Sequence, residues 1–133
     1  MDALEDAIHD KIAGVAGITA LVGTRIYDAV APEGGAYPFV TFSYAGGGED
    51  RETPKHRKNL VYLVQGVSSV SKKQANQLAE LLETAFDEAE LTVSGWSNFW
   101  TAVEDHLKAF EFDTQSGKRT WRAGRYVRIR LSQ

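Results

Sequence analysis

The sequence lacks cysteine, long apolar runs and any large excess of one charge, and each absence removes a class of function. Without cysteine, the 133 residues form no disulfide, no thiolate nucleophile and no cysteine-ligated zinc site. The net charge of −3, from 15 basic and 18 acidic residues, gives no overall positive field that attracts nucleic acid. The longest uncharged run, residues 34–48, is shorter than the roughly 20 apolar residues of a membrane span. We therefore expect one soluble domain outside the membrane.

Catalytic and metal-binding motifs are missing as well. The three histidines, His9, His56 and His106, have no spacing typical of a zinc site, and we expect them on the surface. General acid–base catalysis needs two carboxylates held across a cleft, which no segment of the sequence indicates. The glycine run 46–48 is not followed by the Gly-Lys-Ser/Thr sequence of a phosphate loop. We predict no enzyme activity, no cofactor and no metal; a small enzyme of unrecognised type is the alternative.

The spacing of apolar residues predicts two helices and a sheet of about four to five strands. The helices are expected over residues 2–15 and 72–89, with Ser71 as the N-cap of the second. The strands are expected over residues 25–29, 39–44, 57–68, 99–112 and 120–131. The third strand is apolar on both faces, which favours a central position, and the last two form a hairpin with Gly117 at positive φ. The prediction is a single α+β domain, residues 1–133, with one mostly antiparallel sheet packed with two helices.

A polar segment separates the second and third predicted strands. Between Gly46 and His56 there are three glycines, one proline and no apolar residue, so we predict a mobile loop over about residues 46–56. Its charged residues either contact a partner protein or are solvated. These residues are Glu49, Asp50, Arg51, Glu52 and Lys55.

The last predicted strand has three arginines on one face. Arg122, Arg128 and Arg130 share this face with Tyr126, opposite a row of apolar residues. The pattern fits a contact with another subunit, a solvated face, or a site for single-stranded nucleic acid in which the aromatic ring stacks on bases.

The segment Thr92–Trp100 is rich in tryptophan. Trp96 and Trp100 are either core residues or anchors of an interface, because tryptophan is frequent among residues that dominate binding energy. The sequence does not decide between these roles.

Three segments of the chain have a common family pattern. The first is Leu21-Val-Gly-Thr-Arg-Ile-Tyr27, followed by an alanine–proline loop and a strand that begins at Pro38. The second runs from the strand at Tyr62 into the serine-led helix that includes Leu78, and the third is the closing pair 110–114 and 125–131. In this order they resemble the tail-completion (tail terminator) proteins of long-tailed phages and gene transfer agents. The segment 92–100 matches no part of that pattern.

The resemblance implies a structural virion protein. Members of the family form a ring, commonly a hexamer, on the head-proximal end of the tail tube, stop its polymerisation and provide the head–tail joining surface. The implied partners are the tail tube protein, the head–neck connector (stopper) protein and further copies of the chain. The implied location is the tail or neck of the virion, with assembly in the host cytoplasm. If the ring has six subunits, its net charge is six times −3, or −18, so DNA would pass through without specific binding.

Under this resemblance, the subunit or tube interface is expected to include the three arginines and the two tryptophans. Two other functions stay open at this point. One is a different head–neck connector component, such as a stopper or an adaptor. The other is a small sheet-based domain that binds nucleic acid.

Overall fold

A computed structural model describes residues 2–32, 35–51, 56–112 and 117–133, and only the backbone at positions 49–51 and 56. The elements follow in the order α1 (Asp2–Ala13), α2 (Ala16–Val22), β1 (Ile26–Asp28), β2 (Phe39–Arg51), β3 (His56–Ser68), α3 (Lys72–Phe86), β4 (Thr92–Val93), β5 (Trp96–Phe112) and β6 (Arg119–Ser132). The α+β class predicted from the sequence is confirmed.

The strands form one six-stranded sheet in the order β1-β2-β3-β6-β5-β4. Neighbouring strands are antiparallel except for β1 and β2, which are parallel, so the sheet is mixed. The predicted central position of β3 is confirmed, because it pairs with β2 on one side and β6 on the other. The sixth strand is β4, whose two residues are too few to show any periodicity in the sequence.

The N-terminal part contains two helices where the sequence predicts one. Gly14 donates its amide to Asp10 and closes α1, and Val15 then has an extended backbone with φ −92° and ψ 109°. The second helix, α2, spans seven residues and buries Ile18 and Val22. It ends at Gly23, whose φ is 60°. So short a helix shows less than two full periods of the apolar pattern, which explains why it was missed.

The helix α3 begins as predicted and ends three residues earlier. The Ser71 hydroxyl accepts a hydrogen bond from the Gln74 amide at 3.1 Å, so Ser71 is the N-cap. The helix ends at Phe86, because Asp87 is extended and Glu88 has a φ of 57°. Gly66 in β3 allows α3 to approach the sheet closely, since a Cβ there would lie 2.4 Å from the Leu78 Cβ.

All three helices pack on one face of the sheet, called the covered face below. The core between helices and sheet includes Leu4, Ile8, Leu78, Phe86 and Val127, each with no exposed surface. Beside this core, the Tyr62 hydroxyl donates to Glu5 Oε1 at 3.2 Å. Burial, together with the nearby Glu5 carboxylate, raises the pKa of Tyr62 above its ordinary value.

The predicted loop boundaries around residue 46 were wrong. Strand β2 continues through the glycines to Arg51, pairs with β3 from His56 onward, and has a register shift between Tyr44 and Gly46. Gly47, at φ 107°, is one reason: a Cβ there would lie 2.2 Å from the Asn59 carbonyl oxygen. The glycines therefore permit close pairing of the two strands with an irregular register. A glycine-rich composition occurs both in such a strand and in a loop, so composition alone does not separate the two.

Candidate functional site

The face of the sheet opposite the helices is called the open face, and it is the candidate functional site. It consists of alternate residues of β3 and β6 that point away from the core. The set comprises Val61, Leu63, Gln65, Val67, Arg122, Tyr126, Arg128 and Arg130. The prediction that the three arginines and Tyr126 share a face, opposite buried Val127, Ile129 and Leu131, is confirmed.

Two of these arginines are paired with carboxylates of β5. The Arg128 Nε donates to Glu104 Oε1, its Nη1 donates to Asn59 Oδ1 at 2.6 Å, and the Glu104 hydrogen bond raises the pKa of Arg128. The Arg122 Nη2 donates to Glu111 Oε2 at 3.3 Å. The open face therefore presents alternating, largely compensated charges rather than a continuous positive strip.

An aromatic ring and two cations form a cluster at one end of the open face. The guanidinium carbons of Arg130 and Arg57 lie 5.1 Å and 5.5 Å from the centroid of the Phe99 ring. Phe99 is 46% exposed. Its position could not be predicted from the sequence, because a register shift between Asn98 and Trp100 breaks the alternation that would have indicated its side.

The two tryptophans have different environments. Trp96 is half-buried against the core, and the Lys58 Nζ lies 5.1 Å from its ring centroid. Trp100 is 53% exposed. Of the two roles left open for these residues, Trp96 is closer to a packing residue, and Trp100 is available to a partner.

The far end of β5 has two more exposed aromatic residues. Phe110 lies against Trp121 with ring centroids 5.3 Å apart, and Arg119 is placed over the ring of Phe112. Both phenylalanines are more than half exposed. Strand β5 thus has exposed aromatic side chains at both ends, a composition typical of protein interfaces.

A hollow of about 370 Å³ lies on the open face beside the connection between β1 and β2. We call it the edge hollow. Its floor includes Thr41 and Gln65, which are directly paired across β2 and β3. Its walls include Tyr37, Lys118 and Arg122, and the Lys118 Nζ lies 5.3 Å from the centroid of the Tyr37 ring.

Several polar atoms of the edge hollow lack a hydrogen-bond partner within the described part of the chain. They are Thr41 Oγ1, Gln65 Oε1 and Arg122 Nε. Thr41 and Gln65 are only 4% and 8% exposed. Buried polar atoms without a partner cost free energy, so their concentration in one hollow needs an explanation.

The histidines whose side chains are described, His9 and His106, lie on the surface, as predicted. The His9 Nδ1 lies 3.7 Å from Asp10 Oδ1, and the His106 Nε2 lies 3.1 Å from Glu83 Oε1. Over the described residues, no three histidine, aspartate or glutamate side chains are grouped in a way that could hold a metal ion. Across the same residues, no helix combines the length and apolar character needed to cross a membrane.

Three of the five predicted loop contacts lie at the end of β2. Glu49, Asp50 and Arg51 are the last residues of β2, where only the backbone is described. Glu52 and Lys55 lie outside the described residues. The contact role of all five residues stays a prediction.

Comparisons with known proteins agree with this fold. A chain from a solved structure described as the virion of a native gene transfer agent (GTA) particle has a similar fold, with a TM-score of 0.82. The two chains are 19% identical over 99% of this chain and 96% of the other. No curated protein sequence matches. The model of one family, described as tail completion protein gp17, matches residues 6–130. The resemblance drawn from the sequence is thereby confirmed, and the chain belongs to the tail completion protein gp17 family.

Proposed function

We propose that the protein is a tail terminator, which forms a ring on the head-proximal end of a tail tube. In this role it stops polymerisation of the tube and provides the surface that joins the tail to the head–neck connector. The observation that carries the proposal is the family match, which extends over residues 6–130. The ring is proposed to contain six subunits, with the tail tube protein and the connector as its neighbours.

The open face and the two sheet edges support an assembly role. A ring needs a heterologous contact, in which one patch of a subunit meets a different patch of the next subunit. The charged open face, the exposed Trp100 and the aromatic end of β5 are distinct patches of this kind. We assign Arg122, Arg128, Arg130 and Trp100 to contacts with a neighbour or the tube. The charged residues Glu49, Asp50, Arg51, Glu52 and Lys55 are assigned to contacts with a partner protein.

A nucleic-acid-binding function has less support. Binding of single strands needs cations that are free to contact successive phosphates and aromatic rings that are free to stack. Here Arg128 and Arg122 bond to Glu104 and Glu111, and Arg130 lies over Phe99. With these cations engaged and a net charge of −3, the open face suits a protein neighbour better than a nucleic acid strand.

The proposal is tested by polymerising the cognate tail tube protein with and without the purified chain. Electron microscopy is expected to show short tubes with a ring at one end when the chain is present. Tubes of unlimited length without a terminal ring would overturn the proposal. A ring found instead between connector and head, with no effect on tube length, would favour a stopper or adaptor.

A charge-reversed variant identifies the surface used. Arg128→Glu with Arg130→Glu is expected to raise the concentration needed for capping by at least about tenfold, because the charges that this face presents to a neighbour would then be reversed. The matched control reverses two exposed lysines on the helical side, Lys72→Glu with Lys73→Glu, and is expected to cap as the wild type does. Circular dichroism of each variant checks that the fold is retained. Equal capping by both variants would remove the arginines from the interface.

A further inference from the structure

We propose that the edge hollow is the receiving half of the contact between neighbouring copies in the ring. The inserted half is the acidic turn of the next copy, residues 87–90, which follows α3. This inference rests on the proposed ring. It deepens that proposal by naming the two surfaces that meet.

The unpaired atoms of the edge hollow indicate what kind of group fills it. Arg122 Nε is a donor, Gln65 Oε1 is an acceptor, and the Thr41 hydroxyl is both. An isolated anion would satisfy only the donors. A protein segment supplies backbone donors and acceptors together with side-chain oxygens. The hollow, at about 370 Å³, is large enough for a few side chains but not for a whole helix.

The charges of the two surfaces are opposite. Lys118 and Arg122 stand on the wall of the hollow. The turn presents three exposed carboxylates, on Asp87, Glu88 and Glu90. Glu111 of the same copy already accepts a hydrogen bond from the Arg122 guanidinium. The incoming turn therefore supplies a further acceptor for that guanidinium and is not its sole partner. Charge-assisted hydrogen bonds in a site that excludes water are the stronger class of such contacts.

The positions of the two surfaces are those that a ring requires. The hollow lies beside the β1–β2 connection at one edge of the sheet. The acidic turn is fixed to the opposite edge, because the Glu88 amide donates to the Thr101 carbonyl and the Val103 amide donates to Asp87. The five strands from β1 to β5, at a spacing of about 4.8 Å, separate these edges by roughly 19 Å. A contact between opposite edges propagates from copy to copy in one direction, which is the heterologous contact of a ring.

A second acidic surface does not satisfy this geometry. Asp2, Asp6 and Asp28 surround a second depression, but it is formed by α1 and β1. It therefore lies at the same edge of the sheet as the hollow. An edge-to-opposite-edge contact would not bring it to the hollow of a neighbour. This surface provides the matched control for the experiment.

The test is charge reversal on each side, followed by recombination. Lys118→Glu with Arg122→Glu reverses the hollow, and Glu88→Arg with Glu90→Arg reverses the turn while leaving Asp87 and its hydrogen bond in place. Each double variant is expected to raise the concentration for half-maximal ring formation by at least about tenfold, measured by light scattering and electron microscopy, alone and on tube ends. The quadruple variant is expected to return to within about threefold of the wild type. The control, Asp2→Lys with Asp6→Lys, is expected to stay within about twofold of the wild type.

The outcomes separate this inference from the proposed function. If the wild type forms rings and neither double variant changes them, the inference is wrong and the proposed function stands. If both double variants lose rings and the quadruple variant does not recover them, the two surfaces do not meet and the inference is also wrong. If the wild type forms no ring, alone or on a tube, the proposed function fails together with the contact.

Discussion

The two faces of the sheet differ in how completely the chain itself covers their apolar side chains and pairs their polar atoms. On the covered face, apolar side chains are enclosed by three helices, and its buried arginine, Arg125, donates to Glu83 at 3.0 Å. On the open face, aromatic rings are about half exposed, and the edge hollow has buried polar atoms without a partner in the described residues. Beneath the helices the first face is complete within one subunit, while Phe110 and Phe112, at the end of β5, stay exposed beyond them. The second has the features of a surface that is completed by another molecule.

This difference separates residues that stabilise the fold from residues that are available for assembly. Two phenylalanines of similar chemistry illustrate it. Phe86 has no exposed surface, whereas Phe99 is 46% exposed beneath two guanidinium groups. Substitutions on the covered face should therefore lower the stability of the isolated subunit, and those on the open face should affect assembly.

The largest expected effect distinguishes these two phenylalanines. Phe86→Ala removes a fully buried ring from the core and is expected to lower the free energy of unfolding by about 3–5 kcal/mol. Phe99→Ala removes a half-exposed ring and is expected to cost about 1 kcal/mol, including the loss of its contacts with the arginines. Urea unfolding of the two monomeric variants measures both values. Equal losses would show that the open face contributes to the fold as much as the covered face does.

A smaller loss of folding free energy is expected at high pH, where the buried Tyr62 ionises. Its pKa is raised in the folded state, while an unfolded tyrosine ionises at about 10. The stabilisation that depends on the protonated hydroxyl is therefore complete below pH 10 and is lost as the pH rises above it, by about 1 kcal/mol at pH 11. Urea unfolding at pH 9 and pH 11 measures this loss.

Two variants test whether ionisation of Tyr62 causes this loss of stability. Tyr62→Phe has no ionisable hydroxyl and should lose less stability than the wild type between pH 9 and pH 11. Tyr126→Phe, at a half-buried position on the open face outside the core, should follow the wild type. If Tyr62→Phe also followed the wild type, the burial of Tyr62 would not be the source of the alkaline instability.

Much of the fold could be predicted from periodicity. The long elements α3, β3 and β6 and the central position of β3 follow from apolar spacing that extends over several turns or alternations. The exceptions have physical reasons. Both α2 and β4 are too short to show a period, and the glycines at 46–48 continue a strand because Gly47 allows a close approach to Asn59.

Less of the candidate site could be predicted. Alternation along β6 was sufficient to place the three arginines on one face. It was not sufficient to find the Phe99 cluster, which depends on a register shift, or the edge hollow, which brings together residues as distant in sequence as Thr41 and Arg122. Such contacts are set by strand order, and a single sequence does not specify strand order through local pattern.

The most direct test of the account is to measure whether the edge of the open face becomes covered on assembly. The chain has no cysteine, so Val30→Cys at the rim of the edge hollow and Gln77→Cys on α3, ten residues before the acidic turn, each introduce a single exposed thiol. Their rates of reaction with a maleimide are compared before and after assembly on tube ends. We expect the thiol at position 30 to react at least about tenfold more slowly in the assembly, because interface residues are shielded from water, while the rate at position 77 is unchanged. An unchanged rate at position 30 in well-formed rings would contradict this expectation.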